Sequence, residues 1–273
     1  MRNTAILLIT SFLTLTASVI AQVSDQVHPG KKKFSLTPVA DAVAKYEDFP
    51  MWFLSTGLHH THGLVAWFPF NGHALDESGS GLLSTLNGPQ LTRDRHSRID
   101  RAYFFDGLDD YIRIEHNPKA NPKNFTLCVW VNPDKGKAGI QTVLRNTDHP
   151  AQKGFLIYYR YAAWAFWTGS KPWSRIDQPK AFAGIWTHLT FSFYSDNESE
   201  KGVMTTYING QKNFSKPGSY TPNPSHGLGI GGNGNKIEHP SLFFRGCLDN
   251  IRIYNYALNE SEIASLYELE SLR

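Results

Sequence analysis

A chain of 273 residues is long enough for one large all-β domain or two small ones, with ample material for a core. Its 27 Lys plus Arg against 24 Asp plus Glu leave a formal charge of +3, and the basic residues are scattered apart from Lys31, Lys32 and Lys33, so nucleic acid is not the indicated partner. Aromatics at 13%, with 22 Gly and 15 Pro, argue against long helices and for many short strands joined by tight turns.

The N-terminus reads as an export signal over residues 1–21. Arg2 precedes an apolar stretch from Ala5 to Leu15, and Ala17-Ser18-Val19-Ile20-Ala21 offers a cleavage site after Ala21. Thr10, Ser11, Thr14 and Thr16 interrupt the stretch, so it is too short and too polar to span a bilayer. No later segment is long enough to do so, and no cysteine follows the cleavage site to carry a lipid. A secreted protein, extracellular or periplasmic, is expected. Residues 22–62 form a charged leader segment with a short helix expected from Pro38 to Tyr46. His59, His60 and His62 lie there without an acidic or cysteine neighbour at ligand spacing, which argues against a metal site.

From Gly63 the pattern changes to short runs of Val, Ile, Phe, Tyr and Trp closed by turn residues. Strands are predicted near 64–70, 102–106, 110–115, 124–132, 140–145, 154–160, 163–168, 186–194, 203–208, 211–214, 227–231 and 243–254. In the fourth of these, Phe125, Leu127, Val129 and Val131 alternate with Thr126, Cys128 and Trp130, so both faces are apolar and the strand is central. Asn209-Gly210 tolerates the positive φ angles of a two-residue hairpin. Asn259 and Glu262 fit a capping box opening a helix with Ile263, Leu266 and Tyr267 on one face. Cys128 and Cys247 are the only cysteines, and in an exported chain a lone pair is expected to be bridged. Closing a loop of that length would contribute about 4 to 5 kcal/mol.

The order of motifs resembles the laminin G-like jelly-roll family of the concanavalin A-like lectin and glucanase superfamily. It runs GLVAWFPFNGHALDESGSG (63–81), AYFFDGLDDYIRI (102–114), FTLCVWVNP (125–133), IWTHLTFSF (185–193), TYINGQ (206–211), LGIGGN and the closing FRGCLDNIRIYNYALNESEIASLYE. FTLC and the closing strand plus helix are also similar to pentraxins. The resemblance implies an all-β, two-sheet antiparallel sandwich over residues 63–270 with a short C-terminal helix. It also implies a structural calcium between the first loop and the closing strand, with Asp76 and Asp249 as its first ligands. The second cysteine departs from the pentraxin pattern, so no pairing is carried over from there.

Chemistry points to binding. Asp196, Glu198 and Glu200 have the period-two spacing of a retaining glycosidase pair, but their neighbours are Ser, Asn, Lys and Gly, which supply nothing to raise an acid's pKa. A solvated hairpin tip explains them better. The glycine pattern of Gly227 to Gly232 lacks the following helix of a dinucleotide site and reads as a strand edge. Calcium would need clustered oxygens, which three segments offer: Asn71 with Asp76, Asp106 with Asp109 and Asp110, and Asp249 with Asn250. The competing reading is that these side chains cap turns. Tyr158, Tyr159, Tyr161, Trp164, Phe166, Trp167 and Trp173 form the densest aromatic region, and alternation sends half of them inward. Tyr158, Arg160, Trp167 and Trp173 are the subset expected to offer a glycan platform, with Arg160 able to pair with a carboxylated or sulfated sugar. The expected partner is therefore a glycan, with an extracellular protein or a divergent glycosidase substrate as alternatives.

Overall fold

The computed structural model describes residues 60–272 except 136–138, 148–151, 171–172, 197–198 and 233–241. The export signal, the leader up to His59 with its expected helix, and Glu198 lie outside the described residues. Residues Leu58–Leu269 form one compact unit, and the second unit, Met1–Gly57 with Glu270–Arg273, is almost wholly outside the described part.

Fifteen strands are described: β1 Leu64–Phe68, β2 Ser84–Asn87, β3 Gln90–Thr92, β4 Ala102–Asp106, β5 Tyr111–Ile114, β6 Phe125–Pro133, β7 Ile140–Arg145, β8 Gly154–Arg160, β9 Ala163–Gly169, β10 Ser174–Lys180, β11 Thr187–Tyr194, β12 Lys201–Ile208, β13 Gln211–Ser219, β14 Leu228–Ile230 and β15 Arg245–Tyr254. Among the described residues one α-helix, α1, covers Glu260–Ser271, and a single 3-10 turn covers Pro118–Ala120. The strands form two antiparallel sheets. One has the order β13-β12-β11-β6-β15-β4-β3, with β1 also paired to β15, and the other runs β10-β9-β8-β7-β14-β5-β2. This is the two-sheet sandwich that the family resemblance implies.

The two faces of β6 explain the layering. Phe125, Leu127, Val129 and Val131 point into the core between the sheets, while Cys128 packs in a second apolar cluster with Tyr207, Tyr254, Leu258, Ile263 and Leu266. That second cluster is where α1 covers the eight-stranded sheet. Tyr267 stacks on Trp130 at 5.7 Å. The helix begins as its capping box requires: Asn259 Oδ1 accepts from the Glu262 amide at 3.0 Å, and Glu262 Oε2 accepts from the Asn259 amide at 2.7 Å. The Asn209-Gly210 hairpin also forms, with φ of 50° and 76°.

A bulge at Asn250, whose φ is 49°, resets the alternation of β15. It lets Leu248, Ile251 and Ile253 all join the core while Asp249 and Arg252 face outward beside Trp130 and Cys128. The expected disulfide is corrected by this register. Cys247 lies opposite Asn132, and Cys128 lies opposite Arg252, four residues further along β6. At ~3.4 Å per residue the two cysteines are roughly 13 Å apart, about twice the span a disulfide accepts. Neither cysteine is in a disulfide, and burial, with Asp134 adding to it, pushes the Cys247 thiol up to about 11.

Candidate functional site

Strand register places the site. In the seven-stranded sheet one line of directly opposed residues runs Ile176, Phe166, Ile157, Leu144, Ile230, Ile112 and Leu86, all apolar and all but the last buried in the core or at its wall. The adjacent line faces the other way because side chains alternate. It reads Arg175, Trp167, Leu156, Arg145, Gly229, Arg113 and Thr85. One side of the sheet therefore seals the sandwich, and the other carries three arginines and a tryptophan in a single cross-strand row whose middle, Leu156 and Arg145, is buried.

The four platform residues expected from sequence come together on this outer face. Tyr158 and Arg160 follow Leu156 at period two on β8, and Trp167 sits opposite Leu156 on β9. Tyr158 and Trp167 meet edge to face at 5.7 Å, and Trp167 meets Trp173 in the same way at 5.7 Å. All three rings are half-buried. Their neighbours Tyr159, Trp164 and Phe166 point inward and belong to the core, as alternation demands. Burial pushes the Tyr158 phenol up, and the nearby Arg145 guanidinium partly offsets that. Arg175 lies 5.3 Å from the Trp167 ring centroid, close enough for a cation–π contact. Arg160 lies 5.2 Å from that of Tyr161, an exposed ring at the β8–β9 tip.

Arg145 and Arg113 were not singled out from sequence. Nothing in a single chain says that residues 32 positions apart share a row, and only the pairing of both strands with β14 reveals it. Arg145 is buried, with its Nε donating to the Thr147 carbonyl at 3.3 Å. Arg113 and Arg175 each pair with a carboxylate two residues along the same face, Arg113 with Glu115 at 3.0 Å and Arg175 with Asp177. These pairs are well exposed, so each contributes little to stability.

The acidic segments separate into two kinds. Asp76 accepts the amides of Trp67, Ser78 and Leu82 at 3.0, 2.9 and 3.1 Å and the Ser78 hydroxyl at 3.0 Å. Four donors occupy the acceptor sites of one carboxylate, so Asp76 caps the first loop. Asp249 is buried against Arg95 at 2.5 Å. The first loop and the closing strand are instead tied through Trp67, whose amide reaches Asp76 and whose indole N–H donates to Asn250 Oδ1 at 2.7 Å. Asn71 is half-buried in the loop after β1. Among the described residues, Asp106, Asp109 and Asp110 are the acidic group whose carboxylates converge, within 4.8 Å of one another. Burial, with Asp106 and Asp109 adding to it, holds the Asp110 carboxyl above the ordinary aspartate range, although the Asp106 amide opposes this.

Glu200 does not stand as an acid. Its carboxylate accepts from the Thr221 hydroxyl at 2.6 Å and the Ser170 hydroxyl at 2.9 Å, and those bonds lower its pKa. It clasps two loops together. His60 and His62 are engaged separately, His60 through a 3.3 Å contact with Ser265 and His62 edge-on against Tyr256.

A family model described as the Concanavalin A-like lectin/glucanases superfamily matches residues 105–264. No curated protein matches the chain. Among solved structures, the binding domain of Paraclostridial Mosquitocidal Protein 1 is similar with a TM-score of 0.62 and 21% identity, covering 76% of this chain and 52% of that one. The receptor binding domain of botulinum neurotoxin D gives 0.61 and 13%, covering 78% and 54%. The chain thus spans about half the length of these toxin domains. Domain 4 of AbnA, an extracellular arabinanase from Geobacillus stearothermophilus solved with arabinotriose, gives 0.55 and 24%, covering 75% and 98%. At these identities the likeness is one of fold.

Proposed function

This chain belongs to the concanavalin A-like lectin/glucanases superfamily, and from that premise we propose that it is an exported, non-catalytic module that binds carbohydrate on the outer face of its seven-stranded sheet. The observation that carries the reading is the contiguous, half-buried set Tyr158, Trp167 and Trp173 beside Arg160. Sugar rings offer flat C–H faces to aromatic side chains, and neighbouring arginines orient hydroxyl or acidic groups. A platform built on strands is held more rigidly than one on loops. The arabinotriose bound to the similar arabinanase domain supports the same ligand class. The export signal read at residues 1–21 supports a target outside the cell.

A second reading, protein adhesion, has its own observation: Tyr194 and Val203 lie opposite each other and exposed on the outer face of the eight-stranded sheet. A glycan array with the intact chain distinguishes the two. Retention that Trp167→Ala reduces at least tenfold, with Tyr194→Ser neutral, supports the carbohydrate reading. Retention unaffected by Trp167→Ala, or none on any glycan, contradicts it.

We propose the calcium of this reading at Asp106, Asp109 and Asp110, whose carboxylates converge and accept one backbone amide each at Asp106 and Asp110, whereas Asp76 accepts four protein donors and Asp249 pairs with Arg95. There it would supply charge neutralisation to the crowded connection that carries the chain from β4 in one sheet to β5 in the other, stabilising the fold.

A further inference from the structure

The arginines extend well beyond the aromatic platform, and their spacing carries information about the ligand. Arg175 and Arg145 are separated by three strand intervals and Arg145 and Arg113 by two, roughly 14 and 10 Å at ~4.8 Å per interval. Those gaps are wider than one sugar ring. Arg160 adds a fourth guanidinium, two same-face rows away from Arg175 and Arg145 beyond Tyr158. Facing these four cations are Asp177 and Glu115, each on an exposed pair that a ligand anion can replace at little cost. Arg145 contributes differently, because its charge is fixed below the surface by burial and by the Thr147 carbonyl.

We infer that the ligand is an anionic polysaccharide, carrying carboxylate or sulfate groups on successive sugars and lying across the strands along the Arg175–Trp167–Arg145–Arg113 row. This rests on the carbohydrate reading above and narrows it. Trp167, with Arg175 over its ring, stacks a sugar face while the exposed guanidiniums of Arg175 and Arg113 take the acidic groups in bidentate geometry and buried Arg145 contributes only its charge from beneath. A polymer fits this surface better than a monosaccharide, because no single ring reaches two of the row's arginines.

The test measures binding of the intact chain to polygalacturonate, heparin and neutral arabinan by affinity electrophoresis over a range of salt. Binding to polygalacturonate or heparin that weakens with salt, and that Arg113→Gln with Arg175→Gln reduces at least tenfold, supports the inference. Which of the two polymers binds tells carboxylate from sulfate. Lys119→Gln with Lys201→Gln removes the same charge elsewhere and should leave affinity unchanged. Arg160→Gln, checked for folding by circular dichroism, gives an independent readout and should cost several-fold. Arabinan binding that Trp167→Ala abolishes and the arginine variants do not affect would overturn the anionic class while leaving the carbohydrate reading in place. No polysaccharide binding overturns both. Equal affinity for single-stranded DNA overturns the inference as well, since the row would then be a general polyanion surface.

Discussion

Arg95 and Asp249 meet at 2.5 Å under the outer face of the eight-stranded sheet, both side chains less than a tenth exposed, with the Arg95 guanidinium 4.5 Å from the Trp130 ring centroid. A buried pair contributes little net stability against an apolar replacement, but removing one partner strands the other charge. Asp249→Asn is therefore predicted to cost about 3 to 5 kcal/mol, read as a lower urea midpoint, with Arg95→Met in the same chain recovering most of it. Asp110 makes the opposite kind of prediction. Its folded pKa lies above its unfolded value, so the folded state keeps a proton the unfolded chain has released, and stability falls as pH rises through that window. Asp110→Asn is predicted to raise the melting temperature at pH 7 in EDTA, with the gain vanishing near pH 3. Added calcium is predicted to raise the melting temperature of the parent chain and not of the variant. At this scale the sequence singled out these aspartates but not their partners. The four donors on Asp76 and the arginine on Asp249 come from residues up to 154 positions away or from backbone amides that only a formed loop presents.

The elements were legible where hydrophobic alternation or turn chemistry is strong, as in β6, the Asn209-Gly210 hairpin and the Asn259 cap. Three strands were missed, each for a physical reason. β2 and β3 are four and three residues long with a single apolar residue each, so no alternation can be read in them. β10 is an edge strand containing Pro179, next to an irregular register between Asp177 and Lys180, which is where a sheet tolerates proline. The β8–β9 hairpin turns on Tyr161 and Ala162 at φ of 49° and 58°, left-handed positions that favour Asn and Gly. Replacing the pair, Tyr161→Asn with Ala162→Gly, is predicted to stabilise the chain by about 1 kcal/mol, or about 2 to 4 °C in melting temperature. The same change removes the ring against which Arg160 rests, so affinity for the ligand is predicted to fall several-fold. A turn kept in strain at a binding edge fits a trade of stability for function.

At the scale of the whole molecule, the run of short alternating strands marked an all-β chain and the family resemblance its two-sheet form, but neither carried the order of strands within each sheet. β14, three residues long, joins β7 to β5 and so brings Arg145 and Arg113 into line, a consequence of non-local pairing that no local pattern encodes. The account as a whole holds that the face of the seven-stranded sheet turned away from the core is where ligand lies. Hydroxyl-radical footprinting of the intact chain, with and without an oligosaccharide retained on the array, tests this most directly. Protection is predicted at Tyr158, Trp167 and Trp173, with Tyr194 on the opposite sheet unchanged; protection of Tyr194 while those three rings stay as reactive as in the free chain would contradict it.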